Sequence, residues 1–312
     1  MKLLCSLLLL VISFSTVRAA DTILSVPPRY MWGWGPGLSG YCGEVSFQTF
    51  GIFSGNYVSQ ELVRYAAGKE ELLVAVNDEQ AASALKFTFS SWNYRQKTPQ
   101  YQIFSNWVKS HIDQQHVVAG GVYEKLPSKE GDPDYDHIVP FFGYKSDNTG
   151  KVLGLYFNDL WGNATRYLDL ASQAKSRSTC TRTTQPSQPY DYCLPTDFNY
   201  GIALTGFPDV NSETYHTTLV IPSWTEPDWG EEDGVHAPPV LFTISANVTG
   251  LTSGTNYATL RFDTIGEIPS SGFLQASYSA RFDFKATESS YFLANFDSFM
   301  SDDQVFYRTV KA

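Results

Sequence analysis

The chain has 312 residues, of which 43% are hydrophobic, 17% charged and 15% aromatic. That much apolar material excludes a mainly disordered chain, and the length accommodates about two domains. A formal charge of −10 with no basic run argues against partners held by positive charge, nucleic acid and anionic membranes among them.

The first element is a leader. Lys2 precedes an apolar run over residues 3–14, and Val17, Arg18, Ala19 and Ala20 follow. A charged start, a short apolar core and a small-residue end make residues 1–19 a secretory signal peptide. The run falls short of the roughly 20 residues of a membrane span. Its removal takes Lys2 and Arg18 and leaves 20 basic and 32 acidic residues, a charge of −12. No second long apolar segment follows. The expected product is therefore secreted, extracellular or in the lumen of the secretory pathway, with no membrane insertion. The sequons Asn163-Ala164-Thr165 and Asn247-Val248-Thr249 suit a glycoprotein on that route.

Residues 31–40 form a glycine-rich aromatic loop that includes Trp32 and Trp34, which would flank a site or pack in the core. Cys42-Gly43-Glu44 comes next. Val45, Phe47, Phe50 and Phe53 then continue in a helical pattern from about Cys42, with Gly51 weakening its end. Helical patterns also cover residues 79–90 and 98–115, the latter opened by Thr98-Pro99. Residues 116–123 read as a buried strand. After an acidic loop, residues 137–144 and 152–157 read as the two strands of a hairpin around the turn at 146–150. Helices first and antiparallel strands second make an α+β arrangement over residues 20–207. Residues 208–237, rich in Pro, Trp and acids toward their end, read as a linker or irregular crossing. Residues 238–312 are short strands throughout, the pattern of an all-β sandwich. Within them, Leu251 stands six residues before Tyr257 at a strand start, which resembles the tyrosine corner of fibronectin type III and related sandwiches. In such a corner the phenol hydroxyl bonds the backbone of the preceding loop.

Cys5 leaves with the signal, so Cys42, Cys180 and Cys193 remain, an odd number in an oxidising compartment. Cys180 and Cys193 flank a Ser/Thr/Gln/Pro-rich loop that lets them meet, which would leave Cys42 unpaired. A bridge from Cys42 to either of them is the competing arrangement.

Three places have the residue types of nucleophilic catalysis: Cys42 at a helix start, His137 opening a strand, and Asn158-Asp159 ending the next. A helix N-terminus favours the thiolate, an imidazole takes and returns the proton, and a third polar group orients the ring. The text GYCGE at 40–44, DHIVPFFGY at 136–144 and YFNDLWGN at 156–163 resembles the papain-like cysteine peptidase superfamily, and its compact bacterial bacteriocin-processing branch more than papain. The resemblance covers residues 20 to about 207. It implies a papain-like domain before the sandwich, with Cys42 as nucleophile, His137 as base and Asp159 as the orienting residue, Asn158 being the alternative. It implies a peptide or protein substrate and a Cys-His-Asp/Asn hydrolase acting on amide bonds through an acyl-enzyme.

One departure stands out. The family carries a Gln about six residues before its Cys to hold the oxyanion. Position 36 is Pro, no Gln lies between Asp21 and Cys42, and Gln48 follows the Cys. Loss of such a donor costs about 2.7–4 kcal/mol of transition-state stabilisation. The alternative function is therefore a catalytically inactive papain-fold protein that serves in secreted binding or adhesion. No cofactor is expected. The cysteines lack zinc spacing, and the alternating Asp132, Asp134 and Asp136 lack the rest of a calcium loop, so no metal is expected either.

Overall fold

The computed structural model describes residues 20–31, 40–125, 135–160, 164–180, 191–221 and 239–312. Residues 1–19, read as a signal peptide, Trp32, Trp34, Asp132, Asp134, Asn163 and most of the acidic crossing lie outside the described residues.

The chain opens with strand β1 (Ala20–Ile23) and reaches helix α1 (Cys42–Phe53), which starts at the expected cysteine. All twelve residues of α1 are buried, as befits a helix that is apolar on most of its surface. A Cβ at Gly51 would stand 3.0 Å from the Asn56 carbonyl oxygen, so this glycine admits the returning chain. Next come β2 (Asn56–Val58) and α2 (Gln60–Ala66), whose N-cap Ser59 accepts from the Leu62 N–H at 3.2 Å. Helix α3 (Asp78–Ala84) is shorter than the helix expected over 79–90. Lys86 takes φ 59°, and β3 (Thr88–Ser91) follows. Phe87 and Phe89 alternate with polar residues there, a strand period that pairing with a distant strand brings out. Helix α4 (Tyr101–Ile112) lies within the expected span.

The strands continue with β4 (Val117–Lys125), β5 (Tyr135–Ser146), β6 (Val152–Asn158) and β7 (Thr165–Asp169). A short helix α5 (Leu170–Gln173) leads to β8 (Ala174–Lys175), β9 (Asp191–Pro195) and β10 (Gly201–Gly206). Among the described residues these build one nine-stranded sheet, with central order β3-β10-β4-β5-β6-β7; β1 joins β5, and β9 joins β4 and β8. Its strands pair antiparallel except β8 with β9. Helix α4 covers one face, where Phe104, Val108 and Ile112 meet Val118, Phe141 and Phe157. The other face receives α1 through Val117, Ala119, Phe142 and Ile202.

The stretch read as a linker carries two strands, β11 (Thr214–Tyr215) and β12 (Thr217–Val220). They join β13 (Leu241–Thr249), β14 (Asn256–Phe262), β15 (Ala280–Lys285), β16 (Ser290–Met300) and β17 (Gln304–Lys311). Residues 273–275, read as part of a strand, form a 3-10 turn. The sheets run β11-β17-β14-β15, with β2 on β17, and β12-β13-β16. Between them lies a core of Phe242, Ile244, Tyr257, Phe284 and Val305. The Thr252 N–H donates to the Tyr257 hydroxyl at 2.8 Å, the corner bond expected of that tyrosine.

Strand β2 lies between α1 and α2 in the chain yet completes the C-terminal sheet. Ala258, Leu260, Phe262, Phe306 and Val310 share a core with Phe47 and Phe50 of α1. Position 207 is thus no boundary in the packing: α1 is enclosed by strands from both halves of the chain.

Candidate functional site

Cys42 is the first residue of α1, and no side chain caps that helix end. The first-turn N–H groups of a helix lack partners within the helix and present partial positive charge, which favours a thiolate over a thiol. The Cys42 thiol is free, because the disulfide joins Cys180 to Cys193 across a separation of 13 residues. Its residue is 9% exposed.

His137, on β5, is fully buried. Its Nε2 lies 3.0 Å from the main-chain oxygen of Asp159. A carbonyl oxygen only accepts, so Nε2 carries the ring proton and Nδ1 is the nitrogen left for the thiol. The Cys42 thiol lies within hydrogen-bonding reach of the ring. Burial alone would lower the His137 pKa. The Cys42 hydrogen bond, the charges of Glu124 and Cys42, and the Asp159 carbonyl outweigh it and push the value up to about 9.

Asp159 therefore reaches the ring through its backbone. Its carboxylate Oδ2 accepts from Arg166 Nε at 2.6 Å. Asn158 is engaged in the local turn: its Oδ1 accepts from the Leu160 N–H at 3.0 Å, and its Nδ2 donates to the Ala164 carbonyl at 3.1 Å. The end of β6 thus comes to the imidazole as expected, with a main-chain atom making the described contact.

Two residues absent from the sequence reading complete the surroundings of His137. Glu124 on β4 is fully buried. In the β4–β5 register Val122 faces His137, and in the β4–β9 register Glu124 faces Tyr192, so Glu124, Tyr192 and His137 share one sheet face. The Tyr192 ring stacks near the imidazole, with centroids 6.4 Å apart and 29° between planes, and its hydroxyl donates to Glu124 Oε1 at 3.3 Å. Burial, Glu124 and Asp159 all raise the Tyr192 pKa, so the phenol stays protonated and donates. A signal did exist in the sequence. Glu124 is in phase with the inward residues Val118 and Val122, and an acid in phase with a buried face needs a reason.

Cys42 and His137 both line a cleft of about 690 Å³. Residues 72–76 form one wall, and Tyr94, Phe198 and Tyr200 stand on another side. Val76 is 75% exposed and Phe198 52%. The first wall is held by polar side chains: Asn77 Oδ1 accepts from the Leu73 N–H at 2.8 Å and Asp78 Oδ1 from the Ala75 N–H at 3.0 Å. At the mouth, Arg177 pairs with Asp136.

The Gly and Glu of the CGE phrase position this wall against α1. A Cβ on Gly43 would lie 2.5 Å from the Leu72 carbonyl oxygen. Glu44 Oε1 accepts from the Leu72 N–H at 3.0 Å and from Arg64 Nε at 2.8 Å. Arg64 Nη2 in turn donates to the Gly40 carbonyl at 2.7 Å. Gln48 is not an oxyanion donor: it is buried, accepts from Arg29, and donates to the Val58 carbonyl at 2.9 Å. Tyr41 holds its ring against Arg64, 3.5 Å from the guanidinium carbon. Ser39 lies outside the described residues.

Among the described residues, no three His, Cys, Asp or Glu side chains are grouped to hold a metal, and no helix is long and apolar enough to cross a membrane. No protein-family model matches the chain, and no curated protein matches it.

Proposed function

We propose that this chain is an exported thiol peptidase of papain-like type that cleaves amide bonds through an acyl-enzyme on Cys42. The observation that carries the reading is a free thiol at an uncapped helix start, within hydrogen-bonding reach of a buried imidazole and open to a cleft. Neither residue type alone implies chemistry, but the pair at one cleft supplies a nucleophile and its proton carrier.

In the first half-reaction the Cys42 sulfur attacks the scissile carbonyl carbon, with its proton held on His137 Nδ1. The tetrahedral oxyanion receives the Cys42 main-chain N–H. Collapse breaks the C–N bond, and His137 gives its proton to the departing amine. Water then adds to the thioester carbonyl as His137 takes one of its protons. The second tetrahedral species expels the sulfur, releasing the carboxylic acid and restoring Cys42. The apolar walls at 72–76 and Phe198 suit a bulky apolar side chain beside the scissile bond.

The test uses the full secreted chain. Iodoacetamide at pH 6 is expected to label Cys42 of the wild type at least tenfold faster than Cys42 of His137→Ala, because the free thiol is mostly protonated there. A peptide library rich in Leu and Phe should yield products with the wild type and none with Cys42→Ala. Equal labelling rates together with identical product profiles would favour the second reading, a non-catalytic binding protein. The absence of a Gln before Cys42 is the observation behind that alternative.

A further inference from the structure

We propose that Glu124, held by Tyr192, is the anionic positioning residue of His137, the role that the papain-like resemblance implies for Asp159. The inference rests on the peptidase reading of Cys42 and His137 and adds to it the group that stabilises their charged form.

An imidazolium inside a protein needs negative charge nearby, and at Nε2 the Asp159 main-chain carbonyl supplies a hydrogen bond but no formal charge. Among the described residues, the charged and titratable groups around His137 come from five places. Cys42 faces it from α1. Asp159 gives its main-chain carbonyl from the end of β6, while its carboxylate Oδ2 is neutralised by Arg166 of β7. Asp136, the neighbour of His137 on β5, points to the opposite sheet face and pairs with Arg177. Tyr192 of β9 is a protonated phenol. Among the described residues, Glu124 of β4 is a second carboxylate beside the ring, on the same sheet face and fully buried. Ionised, it would favour the charged imidazole, as the Cys42 hydrogen bond does. Tyr192 neighbours both partners: its hydroxyl donates to Glu124, and its ring centre stands 6.4 Å from that of the imidazole. His137 and Glu124 are both fully buried, so the charge acts in a medium of low dielectric.

The disulfide places this tyrosine. Cys193 is the next residue, and its bond to Cys180 fixes the start of β9 beside the cleft. Glu124 is not a catalytic residue by this account, since it acts on the reaction through His137.

The experiment reads Cys42 alkylation by iodoacetamide against pH, located by mass spectrometry of the labelled peptide. Glu124→Gln retains the size and the acceptor for Tyr192 but removes the charge. Labelling of Glu124→Gln at pH 6 is expected to fall about tenfold, equivalent to one unit in the thiolate step, while the rate at pH 10, where the thiolate is complete, stays at the wild-type value. Tyr192→Phe keeps the ring and loses the bond to Glu124, and a fall of about threefold at pH 6 is expected. A wild-type profile in folded Glu124→Gln, or an equal loss at pH 6 and pH 10, overturns the proposal. If Glu124→Gln does not fold, Tyr192→Phe decides: a fall confined to low pH supports the role and an unchanged profile overturns it. The readout needs no turnover. Absent peptide cleavage with a shifted profile defeats the peptidase reading alone, and cleavage with an unshifted profile defeats the role of Glu124 alone.

Discussion

His111 and His116 bring their Nδ1 atoms to 3.2 Å at the end of α4. One nitrogen must carry the proton and the other accept it, so the arrangement requires at least one neutral ring. Burial, and then the charge of His116, push the His111 pKa down to about 4, and burial lowers that of His116. A histidine with a folded pKa below its unfolded value stabilises the fold when neutral. The contribution is complete above pH 6.5 and is lost as the pH falls toward 4. Urea midpoints should therefore drop from pH 7 to pH 4 more steeply in the wild type than in His111→Gln. Parallel slopes would mean that the pair carries no such linkage. At this scale the sequence was informative where chemistry is local. The start of α1 at Cys42, the bond inside the Tyr257 corner, and the free thiol depend on neighbours in the chain or on counting. Glu124 was hidden because its partners, Tyr192 and His137, lie on strands whose pairing no local pattern announces. Asp159 was legible in place but not in contact, since a strand end hides whether a side chain or a carbonyl reaches the next residue.

At the scale of the element, β9 shows why a segment escapes reading. Residues 191–195 follow a stretch of sequence rich in Pro and Gln and hold Pro195, so local composition reads as loop. The strand exists because β4 offers it an edge: Tyr123, Glu124 and Lys125 pair with Cys193, Tyr192 and Asp191. The pairings with β4 and β8 and the Cys180–Cys193 disulfide hold it there. Closing a loop of that size removes about 3 kcal/mol of unfolded-state entropy. The Cys180→Ser/Cys193→Ser double variant should therefore lose about 3 kcal/mol in denaturant unfolding. If β9 is the support of Tyr192, the same variant should also show slower Cys42 labelling at pH 6, as Tyr192→Phe does. Lost stability with unchanged labelling would confine the disulfide to a structural role. The helix expected over 79–90 fails for a related reason. Its last residues alternate Phe87 and Phe89 with polar ones, and β10 claims that stretch as β3.

For the whole molecule, the packing joins the two halves of the chain through a shared core. The sequence separated them, because a change from helices to short strands after residue 207 looks like a change of domain. Contacts that cross from one half to the other are not visible as any local pattern. Strand β2 extends the C-terminal sheet through β17, and α1 packs Phe47 and Phe50 into a core shared with Phe262 and Phe306. Arg308 of β17 fastens the junction. It is buried, pairs with Asp209 beyond β10, donates to Asn56 Oδ1 of β2 at 2.8 Å, and lies 5.3 Å from the centre of the Phe207 ring. Removing one partner of a buried ion pair leaves the other charged and unpaired, at a cost of about 3–5 kcal/mol. Calorimetry of the chain should accordingly show a single transition with matching calorimetric and van't Hoff enthalpies, rather than one peak for each half. Arg308→Ala should lower that one transition by roughly 5–10 °C as a whole. Far-UV and near-UV dichroism should move together, and Cys42 should become reactive at the same temperature, because the helix that carries it is enclosed by strands from both halves. Two separated transitions, with only the later one sensitive to Arg308→Ala, would show that the sandwich folds by itself and that the shared core contributes little.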